Sequence, residues 1–169
     1  MDLLFVDENE SCQIAFNGVV WATDKLHDIF HQAKANILCD VDAVVETENE
    51  LIFVEYKNAN IKSAKSPESF RPLEDKKINN VVRKYYDSQY FLNAIGHSIN
   101  KHKSYVYIME SLNGDSVLRG LVCNRLKSLL PFLLQEQNNV TSNLIDEVEV
   151  VSVAGWNEKY PEYPATMLQ

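Results

Sequence analysis

Apolar residues recur along this chain at a period of two in some segments and at helical spacing in others, and the alternation between the two predicts its elements. In the segment 38–46, LCDVDAVVE, the odd positions Cys39, Val41, Ala43 and Val45 are apolar, while Asp40, Asp42 and Glu46 take even positions alongside Val44. That is the period of a strand with one polar face. Residues 47–50, TENE, interrupt it as a turn, and residues 51–57, LIFVEYK, resume it with β-branched and aromatic content. Residues 104–110, SYVYIME, predict a third core strand and residues 147–154 a further one. At the beginning, the strand-like runs Leu3 to Val6 and Gln13 to Trp21, with Asn17-Gly18 as a turn signal, predict a small hairpin.

Leu26, Ile29, Phe30 and Ala33 make an apolar stripe behind Thr23 or Asp24 as a cap, which predicts a helix over 24–35. Ile78, Val81, Val82, Tyr85, Leu92, Ile95 and Ile99 predict a long helix over 73–100, with Gly96 weakening its last turn. A second long helix is expected over 116–135, where Pro131 forces a kink or a fresh start. Residues 58–72 read as a loop, and the tail from Gly155, with Pro161 and Pro164, reads as irregular. The order strand, strand, helix, strand, helix, strand predicts a mixed sheet with helical cover.

Length and composition change this picture little. A chain of 169 residues that is 46% hydrophobic suits one domain, 1–169, with a single core. Its three cysteines lack Cys-x-x-Cys spacing, and the first residues are acidic where a secretory signal would be basic; both point to a reducing, cytoplasmic home. The apolar run SLLPFLL at 128–134 is too short to span a bilayer, so no membrane partner is expected. Charge matters more. The formal charge of -8 repels nucleic acid at long range, yet Lys and Arg predominate from Lys57 to Lys103, opposed only by Glu68, Glu74, Asp75 and Asp87. A basic middle can face a phosphate backbone, and equally it can be a solvated face.

The hairpin at 38–57 carries the candidate chemistry. With 47–50 as the turn, Glu46 pairs with Leu51, and the same register sets Asp42 opposite Glu55 and Asp40 opposite Lys57. Opposed side chains have Cβ atoms roughly 4.5 to 5.5 Å apart, so two carboxylates converge there. Left alone they repel; a divalent cation reverses the sign of that interaction. Oxygen ligands favour Mg²⁺ or Mn²⁺, with the Tyr56 carbonyl as a further donor. Asp40 has three readings: a partner of Lys57, the ligand itself if the register slips, or an exposed strand-end charge. The bland reading of the whole motif is a surface hairpin whose charges face solvent.

The stretch CDVDAVVETENELIFVEYKNA, 39–59, resembles the PD-(D/E)XK nuclease superfamily, especially its Holliday-junction-resolvase-like and restriction-endonuclease-like members. The resemblance extends over the helix, strand and helix around it. It implies an α/β, restriction-endonuclease-like three-layer core, with a central mixed β-sheet flanked by helices. It further implies that Asp42 and Glu55 bind Mg²⁺, that Lys57 orients or helps deprotonate the attacking water, and that the substrate is a phosphodiester of DNA. The chain departs from the family in two places: Val41 stands where a Pro often precedes the Asp, and the first helix has no Glu. Asp28 and Glu10 are the nearest substitutes there.

A Mg²⁺-dependent DNA nuclease is thus the leading expectation, with RNA or a small phosphorylated molecule as a lesser substrate. The alternative is a nuclease-like interaction or regulatory protein without catalysis. Lys77 and Lys84, seven apart on the long helix, are candidate phosphate contacts or solvent-facing partners of Glu74 and Asp87. Tyr85, Tyr86, Tyr90 and Phe91 suit core or homodimer packing better than base stacking. His27, His31, His97 and His102 read as structural or exposed, and no Gly-rich phosphate loop is present.

Overall fold

The structure, a computed structural model, describes residues 1–60, 70–97, 101–112 and 116–168. Of the expected loop 58–72, residues 61–69 lie outside the described residues, as do 98–100, Asn113 and Gly114.

Two sheets organise the described residues. Strands β3 (Trp21–Thr23), β4 (Ala43–Glu46), β5 (Glu50–Asn58), β6 (His102–Glu110) and β7 (Glu147–Val151) form a five-stranded sheet in that order. The β3–β4 and β4–β5 pairs are antiparallel, and β5–β6 and β6–β7 are parallel, so the sheet is mixed. Strands β1 (Leu3–Val6), β2 (Cys12–Phe16) and β8 (Ala165–Met167) form a second, antiparallel sheet in the order β1–β2–β8. The helices are α1 (Leu26–Gln32), α2 (Asp75–Ala94), α3 (Ser116–Leu129) and α4 (Val153–Lys159).

Because side chains alternate along a strand, the large sheet buries a different set on each face. One face, with Val44, Leu51, Phe53, Tyr105 and Tyr107, packs against Leu26 of α1, Ile78, Val82 and Tyr85 of α2, and Val122 and Leu126 of α3. The other face, with Ala43, Val45, Ile52, Val54, Tyr56, Val106 and Ile108, packs against Ile14 and Phe16 of the small sheet and Trp156 of α4. The layers are therefore helices, sheet, and a small sheet with α4. Helices α1 to α3 share one face, and on the other the short helix α4 packs beside a second sheet that the sequence reading, with its helical flanks, does not include. Among the described residues no helix is long and apolar enough to cross a membrane.

Several element ends differ from expectation for identifiable reasons. The first hairpin turns at Asp7, not at Asn17-Gly18, because the Asp7 carboxylate accepts the N–H groups of Asn9 at 3.1 Å, Ser11 at 2.7 Å and Cys12 at 2.6 Å. Gly18, at φ +69°, instead turns the corner from β2 into β3, so the run Gln13 to Trp21 serves two sheets. Helix α1 is N-capped at Lys25 without a side-chain bond, Thr23 Oγ1 accepting from the Lys25 N–H at 3.1 Å. Helix α2 stops at Ala94 because Gly96, at φ +82°, leaves the helical region while the His97 N–H donates back to the Leu92 carbonyl at 3.0 Å. Helix α3 ends at Leu129, two residues before Pro131. The tail is ordered as α4 and β8: Ser152 caps α4 by accepting the Gly155 N–H at 3.1 Å, and Val153, Trp156 and Tyr160 share its buried face.

Candidate active site

The hairpin register holds as far as the strands do. Glu46 pairs with Leu51, Val45 with Ile52, Val44 with Phe53 and Ala43 with Val54. There the ladder stops. Residues 38–42 are not strand, so Asp42 is not a ladder partner of Glu55 nor Asp40 of Lys57. What replaces the missing ladder is α2. Asp87 Oδ2 accepts the Cys39 N–H at 2.8 Å, Ser88 Oγ accepts the Val41 N–H at 3.1 Å, and Lys84 Nζ lies 3.4 Å from Asp42 Oδ1. These residues stand three and four apart, on one helix face, and together dock the segment that carries Asp42. Its other carboxylate oxygen accepts the Tyr56 N–H at 2.7 Å. Tyr56 thus contributes a donor to Asp42, where the sequence reading assigns its carbonyl to a metal. Its side chain faces the opposite core, with its hydroxyl 3.3 Å from Ser11 Oγ.

Asp42 and Glu55 nevertheless converge, and they converge on an ammonium. Lys84 Nζ donates to both oxygens of Glu55, at 2.7 and 2.8 Å, as well as to Asp42. Glu55 is buried and Lys84 half-buried. One ammonium cannot neutralise two carboxylates, so a negative charge is left over in a poorly hydrated place. Burial first, and then the Asp42 charge, push the Glu55 carboxyl up to about 8, with Lys84 opposing. Burial also raises Asp42, against the pull of Lys84 and the Tyr56 N–H. For Lys84, burial disfavours the charge, but Glu55 and Asp42 outweigh it and hold the ammonium above the ordinary lysine range.

Glu55 and Lys57 share a strand face at the edge of an open cleft of about 520 Å³, whose lining includes Asp7, Asp24, His27, Asp40, Asp42, Glu55, Lys57 and Lys84. Lys57 is exposed and has no ion-pair partner among the described residues. Asp40 neither faces Lys57 across a ladder nor stands bare; its Oδ1 lies 3.3 Å from His27 Nδ1. Sequence reading takes Asp24 as a helix cap, His27 as structural or exposed and Lys84 as a phosphate contact or a partner of Asp87, and does not bring them to this cleft. The helical spacing of Lys84, Asp87 and Ser88 was visible, but nothing local shows that this face meets residues 39–42. Asp28 and Glu10 are exposed and line no part of the cleft.

The remaining candidates lie elsewhere. Lys77 is exposed on α2 and is not in the cleft lining, and Asp87 pairs with Arg83 at 3.2 Å, leaving Lys84 to the carboxylates. Part of the basic middle is engaged within the fold: Lys101 pairs with Glu46 at 2.8 Å, and Lys103 donates to the Asn143 carbonyl at 2.8 Å from a buried position. Tyr85 is core; Tyr86 donates to the Leu129 carbonyl at 3.1 Å; Phe91 meets Phe30 edge-on at 5.5 Å; Tyr90 is exposed. None of the four lines the cleft.

Asp42 and Glu55 suit a hard divalent ion in one respect: oxygens from the loop before β4 and from β5 are directed at one cationic atom, Lys84 Nζ. They stand as a pair, for among the described residues no group of three His, Cys, Asp or Glu is placed to hold a metal. Compared with known proteins, the chain matches no family model, no curated protein and no solved structure.

Proposed function

We propose that this chain is a Mg²⁺- or Mn²⁺-dependent nuclease of PD-(D/E)XK type that hydrolyses phosphodiester bonds of DNA. The observation that carries the reading is the convergence of Asp42 and Glu55 on one cation, with Lys57 exposed two residues beyond Glu55 on the same strand face. Asp42 and Glu55 would hold the divalent ion. A bound ion supplies charge neutralisation at the phosphate and lowers the pKa of water. The Tyr56 N–H fixes the Asp42 carboxylate against rotation, and the α2 face fixes the backbone behind it. Lys57 holds a phosphate oxygen by charge and orients the attacking water, which its exposed position at the cleft allows. A cytoplasmic setting goes with the reading, because Cys12, Cys39 and Cys123 are free thiols.

The test is cleavage of duplex, single-stranded and branched DNA, and of RNA, in Mg²⁺. Asp42→Asn and Lys57→Ala are expected to slow cleavage by about a hundredfold or more, with circular dichroism unchanged. Undiminished cutting by both variants would reject the mechanism, and cleavage of RNA alone would transfer it to the other polymer.

A second reading, a nuclease-like interaction protein without catalysis, is favoured by Lys84, whose ammonium already lies against both carboxylates. Calorimetry separates the two: heat of Mg²⁺ or Mn²⁺ binding at millimolar concentrations belongs to the enzyme, and its absence to the scaffold.

A further inference from the structure

Lys84 is held where a cation is needed most. Its Nζ contacts both Glu55 oxygens and one from Asp42, and it reaches them from the middle of a helix of 20 residues anchored nearby by Asp87 and Ser88. A divalent ion bound by the same oxygens and the ammonium cannot share that place, because like charges a few ångströms apart in a half-buried site repel strongly. The ammonium has somewhere to go. Its stem is long and flexible, and Asp24 and Asp40 line the same cleft. The helix itself has no reason to move, since its anchors to Cys39 and Val41 do not involve the ammonium.

From this we infer that Lys84 is a built-in counter-ion that a divalent metal must displace, so that metal occupancy is set by competition with a side chain of the same molecule; the inference rests on the metal-site reading above. At low metal concentration Lys84 keeps Asp42 and Glu55 together and closed to other cations. At high concentration the ammonium swings into the cleft and the carboxylates are released. Lys57, exposed and without an ion-pair partner among the described residues, takes no part in this exchange.

The experiment is calorimetric titration of Mg²⁺ and Mn²⁺ alone into the wild type, Lys84→Met and Lys84→Gln, with Lys76→Met as a control on an exposed stretch of α2. Removing the competitor is expected to tighten metal binding about tenfold or more, the equivalent of one charged hydrogen-bonded contact. Lys76→Met should leave affinity unchanged. Thermal unfolding is the second readout: without metal the Lys84 variants melt below the wild type, and Mg²⁺ raises their melting temperature by more than it raises that of the wild type. Equal or weaker metal affinity in the Lys84 variants would overturn the competition while leaving the metal-site reading intact. Absence of binding in every variant would overturn both. Should Lys84→Met fail to fold, Lys84→Gln, which keeps a hydrogen-bond donor without the charge, carries the same comparison.

Discussion

Glu55 sits beneath the cleft with both oxygens on Lys84 and a second carboxylate beside it, so its proton is part of the folding equilibrium. Its folded pKa of about 8 lies above the ordinary value of 4.5, so between those values the folded state binds more protons than the unfolded chain. Its contribution to stability is therefore fullest below about pH 4.5 and declines as pH rises to about 8. Asp42, raised by the same burial, acts in the same direction. Glu46 has the opposite sign: its burial is outweighed by hydrogen bonds from Lys101 and His97, and the stability it adds is lost as pH falls through its lowered pKa. Urea unfolding in metal-free buffer between pH 5 and pH 8.5 should show stability falling with pH, and Glu55→Gln should flatten that slope. A wild-type profile that rises throughout this range would contradict the account.

At the scale of elements, the site depends on α2 standing in for a strand that ends early. Ser88 is fully buried, and its hydroxyl accepts the Val41 N–H; Ser88→Ala leaves that amide unsatisfied. The expected loss is about 1–3 kcal/mol, read from urea unfolding, with metal affinity weakened because Asp42 lies one residue on. A loss of less than about 0.5 kcal/mol would mean that water replaces the hydroxyl. The β4–β5 register was legible because a period of two, an apolar run on each side and a short turn all act within a few residues. The point where β4 begins was not legible, since the groups that hold Cys39 and Val41 are Asp87 and Ser88, far along the chain. Helix α4 was missed for a different reason: Gly155 and the prolines after it read as breakers, although Val153, Trp156 and Tyr160 carry helical spacing.

Across the whole molecule, the small sheet and α4 close the face of the large sheet that helices α1 to α3 leave open, and Trp156 is the largest side chain buried there. Its ring meets Phe16 edge-on at 6.1 Å and its Nε1–H donates to the Tyr163 carbonyl at 2.7 Å. Trp156→Ala should cost about 3–5 kcal/mol in denaturant unfolding; a loss under about 1 kcal/mol would show that the second sheet does not depend on it. Charge, too, is settled at this scale: the net -8 and the basic middle are facts of composition, but Arg83, Lys84, Lys101 and Lys103 are each engaged within the fold. By itself the sequence determined the alternating strands, the β4–β5 register, the helical stripes and the placing of Glu55 and Lys57 on one strand face, because these follow from periods and turns that act over a few residues. Only the tertiary structure decided that Asp42 is held by Tyr56 and α2, that Lys84 stands between the carboxylates, and that β8 pairs with β2. Contacts between residues so far apart are selected by how the layers pack, and packing leaves no periodic trace in the residues that make them.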